Sequence, residues 1–202
     1  MTPLPRFYPV VPDAMHVAAV VDGGAKLVQL RAKSTDQAWL DAQIRSSLAR
    51  CRQAGAQLVV NDHWELALAL HADFVHLGQE DLDGADLAAL RRHGVRYGIS
   101  THDHDELARA LAARPAYVAL GPIWETTLKR MRWAPQGIAR ISEWRRRIGD
   151  LALVAIGGIT LERAAACLEA GADSVAAVND IVNAPDVRAR AQAWAAQLEP
   201  AP

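Results

Sequence analysis

Gly171-Ala172-Asp173-Ser174-Val175-Ala176-Ala177-Val178-Asn179-Asp180 contains a helix stop, a tight turn, a short apolar run and a polar end, in that order. A glycine at such a point relieves the left-handed backbone that commonly ends a helix. The same device recurs in Gly24-Ala25-Lys26-Leu27-Val28 and Gly55-Ala56-Gln57-Leu58-Val59, while His93-Gly94-Val95 and Arg114-Pro115-Ala116 mark two more helix-to-strand turns by other chemistry. Between such turns the candidate strands are Phe7 to Val11, Leu27 to Arg31, Leu58 to Asn61, Phe74 to Leu77, Tyr97 to Ser100, Tyr117 to Gly121, Leu153 to Ile156 and Ser174 to Val178. Each is followed by a segment of helical periodicity, and that alternation is the signature of a parallel α/β fold. Eight strand-helix units favour a single (β/α)8 TIM barrel over residues 1–202, although a doubly wound open sheet has the same local pattern. Pro9 lacks a donor for the ladder, which predicts a short or irregular first strand.

A chain of 202 residues suits one domain with short connections, and 51% hydrophobic residues supply a sizeable core. The formal net charge of -1 gives no global basic field for nucleic acid or an anionic membrane. Positive charge for an anionic ligand must therefore be local. Cys51 and Cys167 lie in Ala-rich helical segments without a second cysteine at zinc-ligand spacing, as expected of buried structural thiols. No secretory leader pattern and no apolar run near ~18 residues is evident, so the expectation is a cytoplasmic protein with no membrane role.

In such a barrel the reactive groups belong at the C-terminal ends of strands. The second strand ends Gln29-Leu30-Arg31-Ala32-Lys33, where period-2 alternation places Gln29, Arg31 and Lys33 nominally on one face. An amide, a planar guanidinium fork and a compact ammonium suit a diphosphate; ordinary charge on a solvated strand end is the alternative. The third strand ends Asn61-Asp62, and the fourth leads into His76-Leu77-Gly78-Gln79-Glu80-Asp81. Asp62 and Asp81 could hold one Mg2+ completed by phosphate oxygens, or could cap the helices that follow. Ser100-Thr101 poses the same choice between ligand contact and cap. The connection Glu125 to Gly137 carries Thr126, Thr127, Lys129, Arg130 and Arg132, a basic loop suited to cover an anion or to lie on the surface. Gly157-Gly158 after the seventh strand and Val178-Asn179 after the eighth stand where barrels commonly bind phosphate.

Other conspicuous residues fit structural roles. His63, His71, His76, His93, His102 and His104 lack metal-site spacing, and Trp39, Trp64, Trp144 and Trp194 lie at helical positions suited to packing. Arg145-Arg146-Arg147 sits late in a helix, where positive charge complements the dipole.

Taken in order, Gln29-Leu30-Arg31-Ala32-Lys33, Asn61-Asp62, His76-Leu77-Gly78-Gln79-Glu80-Asp81-Leu82, Gly98-Ile99-Ser100-Thr101-His102, Gly121-Pro122-Ile123, Pro135-Gln136-Gly137, Ile156-Gly157-Gly158-Ile159 and Gly171-Ala172-Asp173 resemble the thiamine phosphate synthase family over nearly the whole chain. The resemblance implies a closed barrel and a transferase that joins 4-amino-2-methyl-5-hydroxymethylpyrimidine diphosphate to a thiazole phosphate with Mg2+. It further implies that Gln29, Arg31, Lys33, Asn61, Ser100 and Lys129 contact the pyrimidine diphosphate, with Arg31, Lys33, Ser100 and Lys129 taking catalytic roles. By the same resemblance Asp62 and Asp81 bind the metal, and Thr126, Thr127, Leu128, Gly158, Val178 and Asn179 contact the thiazole phosphate. Three positions depart from the family pattern: Glu125 where Pro is common, Leu128 where a third Thr is usual, and Asn179 in place of Ser or Thr. They leave two other readings open, a metal-independent thiazole tautomerase of the same barrel family and a noncatalytic phosphate-binding barrel.

Overall fold

The computed structural model describes residues 3–126 and 133–198. Eight parallel strands, β1 (Phe7–Val11), β2 (Leu27–Leu30), β3 (Gln57–Asn61), β4 (Phe74–Leu77), β5 (Arg96–Thr101), β6 (Tyr117–Leu120), β7 (Ala152–Ile156) and β8 (Ser174–Ala177), pair in sequence order and close on themselves. The helices between them are α1 (Ala14–Asp22), α2 (Gln37–Ala54), α3 (Trp64–Ala69), α4 (Leu87–Arg92), α5 (His104–Ala112), α6 (Ile138–Ile148) and α7 (Leu161–Glu169), followed by the short α8 (Asn179–Val182) and then α9 (Val187–Leu198). Side-chain oxygens of Asp13, Asp36, Asp86 and Asp103 accept backbone N–H bonds at the starts of α1, α2, α4 and α5. Gly55, at φ 64°, ends α2 in the left-handed conformation its sequence position predicts.

Period-2 alternation sorts the strand residues into two cores. Residues such as Phe7, Val28, Leu30, Leu58, Val60, Val75, Leu77, Ile99, Val118 and Leu120 face the helices and pack with Trp144 and Trp194. Tyr8, Val10, Leu27, Val59, Phe74, Tyr117, Ala119, Val154 and Ala176 fill the interior of the barrel. Cys51 and Cys167 are buried, and burial pushes their thiols up to about 11 and about 12, so both stay protonated at neutral pH. No described helix is long and apolar enough to cross a membrane.

Two expectations are corrected here. β1 is a full five-residue strand, with Pro9 in register with Ala177. The bonds Val175 N–H to Arg6 O and Arg31 N–H to Val11 O secure the strand's two ends despite the donor that proline lacks. Trp39 is 38% exposed at the start of α2 and is not a core residue.

One interior glycine makes room for the polar groups above it. Gly98 lies in register between His76 and Tyr117, and a Cβ there would sit 2.0 Å from the Tyr117 ring. Because that ring is fully buried among Tyr8, Phe74 and His76, it has no free space into which to retreat. Gly98→Ala is therefore expected to destabilise the protein by about 1–3 kcal/mol, read as a lower urea midpoint at unchanged m.

Candidate active site

The C-terminal mouth of the barrel gathers groups from loops distant in sequence. Gln29 is buried on β2 and Asn61 is the last residue of β3, also buried. Arg31 is the first residue beyond β2, half-buried, and its charge acts on both Asp62 and His76. Because β2 stops at Leu30, the alternation expected to carry Lys33 onto the same face does not extend that far; Lys33 is exposed in the following loop. His63 fastens this loop through a 3.1 Å bond between its Nε2 and Ala32 O.

Asp62 follows β3 with φ 62°, a left-handed backbone in which Asp is better tolerated than most residues. Its backbone N–H donates to His76 O at 2.9 Å, which fixes the turn against β4. Asp81 starts a 3-10 turn after β4, and its Oδ2 accepts the Gly78 N–H at 2.9 Å. The two carboxyl groups are hydrogen-bonded neighbours. Burial, then the charge and hydrogen bond of Asp81, raise Asp62 to about 6, while Arg31 acts in the opposite direction. An acid whose proton is held this tightly beside a second carboxyl group is suited to a hard divalent cation, which would replace that proton.

Behind this pair runs a chain of buried polar groups. Gln29 Nε2 donates to the Tyr8 hydroxyl at 2.9 Å, and Tyr8 and Tyr117 hydroxyls are 2.9 Å apart. Tyr117 meets His76 Nδ1 at 2.7 Å, and His76 Nε2 meets Ser100 Oγ at 2.8 Å. Burial pushes His76 down to about 4 and both tyrosines above their ordinary range, so all three are neutral at physiological pH. His76, expected in a structural or surface role, is buried and bonds Ser100 Oγ and the Tyr117 hydroxyl. Tyr8 and Tyr117 did not emerge from the sequence as site residues at all.

A match to the family model described as thiamine monophosphate synthase spans residues 7–181. The chain is 54% identical over 197 residues to the thiamine-phosphate synthase of Rhizobium etli, covering 98% of this chain and 97% of that one. It is 46% identical to the enzyme of the same name from Cronobacter sakazakii, covering 92% and 88% respectively. The chain belongs to the thiamine monophosphate synthase family. It is thereby an enzyme of the transferase class. The fold agrees with that of a thiamine phosphate pyrophosphorylase from Pyrococcus furiosus, with a TM-score of 0.84 at 23% identity over 96% of this chain and 95% of that one.

The other expected positions of this family member that the structure describes lie after β6, β7 and β8, across the mouth from β2 to β4. Gly157 and Gly158 press against the segment after β6: a Cβ on Gly158, at φ 64°, would lie 2.4 Å from Glu125 O, and one on Gly157 would lie 2.5 Å from Pro122 Cα. Ile123 and Trp124 donate to Ile156 O and Gly157 O at 3.0 Å each, binding the two loops together. Thus the backbone contact and the left-handed φ by themselves require glycine at position 158. Val178 ends the strand region half-buried against the interior core, and Asn179 opens α8. Thr126 is half-buried beside the exposed Glu125, whereas Thr127, Leu128 and Lys129 fall outside the described residues, as do Arg130 and Arg132. The two feet of that connection are joined by Gln136 N–H to Pro122 O at 2.7 Å and Gly137 N–H to Ile123 O at 3.0 Å. Trp133 stacks on His102 with ring centroids 4.2 Å apart.

Proposed function

We propose that this protein is a Mg2+-dependent thiamine phosphate synthase that joins 4-amino-2-methyl-5-hydroxymethylpyrimidine diphosphate to 4-methyl-5-(2-phosphoethyl)thiazole, or to its carboxylated form. The observation that carries the reading is the Asp62–Asp81 pair beside Arg31, a metal and anion constellation at the barrel mouth. Gln29, Asn61 and Ser100 would hold the pyrimidine diphosphate, and Arg31, Lys33 and Lys129 would bind its phosphate oxygens. The bond from the exocyclic CH2 to the diphosphate oxygen breaks with its electron pair leaving on diphosphate. The electron-rich aminopyrimidine spreads the positive charge, and the thiazole nitrogen donates its lone pair to the same carbon. Thr126, Thr127, Leu128, Gly158, Val178 and Asn179 would hold the thiazole phosphate in line, so that catalysis consists of orientation and charge stabilisation without a protein nucleophile. Asp62 and Asp81 would hold Mg2+, which would supply electrostatic stabilisation of the departing diphosphate. Two carboxylates leave most of its coordination to phosphate oxygens and water, the usual arrangement for this ion. Metal-free tautomerisation of a thiazole has no use for such a pair.

The deciding assay incubates purified protein with both substrates, with and without Mg2+. Thiamine phosphate forming only with the metal is expected; binding of both substrates without product at saturating Mg2+ would sink the reading.

The raised pKa of Asp62 makes metal-free stability depend on pH. Between its ordinary value and about 6 the folded protein holds a proton that the unfolded chain releases, so this group's contribution to metal-free stability is lost as pH rises through about 6. Mg2+ must displace that proton, and its affinity should fall by up to about tenfold per pH unit below 6. Thermal unfolding with and without Mg2+ checks this: the stabilisation by metal should be larger at pH 7.5 than at pH 5.

A further inference from the structure

We infer that Tyr8, Tyr117 and His76 form a positioning column that fixes the direction of the Ser100 hydroxyl, leaving its hydrogen to be donated to the bound ligand. The inference rests on the functional reading above for the identity of that ligand. The geometry of the column does not depend on it.

Donor order sets the direction of the column. Gln29 Nε2 can only donate, so the Tyr8 oxygen accepts there, and the acceptor for the Tyr8 hydrogen is the Tyr117 oxygen. Tyr117 must then give its own hydrogen to His76 Nδ1. A neutral imidazole that accepts at Nδ1 carries its proton on Nε2, and that N–H donates to Ser100 Oγ. With the Gln29 amide as placed, the reversed order would leave the Tyr8 hydrogen without an acceptor among the described residues, a cost that buried hydroxyls ordinarily avoid. The favoured order therefore uses each hydrogen along the column and delivers one free donor, the Ser100 O–H, at the barrel mouth.

Packing keeps the column in register. His76 stacks on Tyr117 with an interplanar angle of 15°, Tyr8 meets Tyr117 edge-on, and Gly98 leaves the space in which the Tyr117 ring lies. Ser100 is secured from its other side, because Gln79 Nε2 donates to its carbonyl at 2.6 Å. The column thus links two residues assigned to the same ligand, Gln29 at one end and Ser100 at the other, through groups that do not themselves reach the mouth.

A double-mutant cycle tests the link. Tyr117→Phe is expected to lower kcat about 3- to 10-fold with the KM for thiazole phosphate within about twofold of wild type, and to change kcat by less than about twofold when Ser100→Ala is already present. Equal losses in both backgrounds would overturn the inference, because a general loosening of the barrel acts regardless of residue 100. A second measurement requires neither turnover nor a variant. Nitrogen-15 NMR of the wild-type protein should show His76 protonated at Nε2 and bare at Nδ1, and the opposite tautomer would overturn the donor order. An inactive wild-type protein would remove the functional reading, while the tautomer would still decide the column.

Discussion

Asp62→Asn is expected to lower kcat/KM for the coupling reaction by about 100- to 1,000-fold while leaving the metal-free fold at least as stable as wild type. The two signs differ because the carboxylate has opposite roles in the two states. Without metal, the Asp62 and Asp81 charges repel in a partly buried turn, and replacing one by a neutral amide removes that repulsion. With metal and diphosphate, the same charge would, on the proposed reading, hold the cation that offsets the leaving group. Asn is the informative substitution because it tolerates the φ of 62°. Alanine would add backbone strain and confuse the two effects. Steady-state kinetics at saturating Mg2+, together with urea unfolding in chelator, check both halves. Wild-type activity in the variant would remove Asp62 from the metal site.

The strands were legible because each signal is local. Tyr117 to Gly121, for instance, is found one residue shorter, as Tyr117–Leu120, and Leu58 to Asn61 one residue longer, as Gln57–Asn61. Glycine stops such as Gly55 lie within a few residues of the strands they introduce, so a short window contains the whole pattern. Closure into a barrel was not local, and it came from the ordered family resemblance. The Tyr8–Tyr117–His76 column was missed for the same reason: its members come from β1, β6 and β4, and Tyr8 and Tyr117 are 109 residues apart. One signal was present. Once the strands are aligned, Tyr8, Gln29, His76 and Tyr117 all take inward positions, where polar groups must find partners in one another. The face of Lys33 was not legible in the same way, because period-2 alternation holds only within a strand and β2 ends at Leu30.

Arg31→Ala is the second substitution for which a loss of about 100- to 1,000-fold in kcat/KM is expected, with Arg31→Lys recovering part of it. Lysine restores the charge but not the fork that can engage two phosphate oxygens at once. The pH dependence separates this role from a purely structural one. In the wild-type protein Arg31 favours the ionised form of Asp62, against burial and Asp81, which hold it at about 6. Deleting the cation removes the larger of the two lowering influences and leaves only His63 to oppose burial and Asp81, so the Asp62 pKa must rise further. The acidic limb of the kcat/KM profile, measured at fixed Mg2+, should therefore move to higher pH in Arg31→Ala and return toward its wild-type position in Arg31→Lys. Raising Mg2+ at a given pH should recover some of the loss in the alanine variant, because the metal competes with the proton on the same carboxyl group. A uniformly lower profile with an unmoved acidic limb would mean that Arg31 acts on the diphosphate alone and that its charge does not tune the metal site.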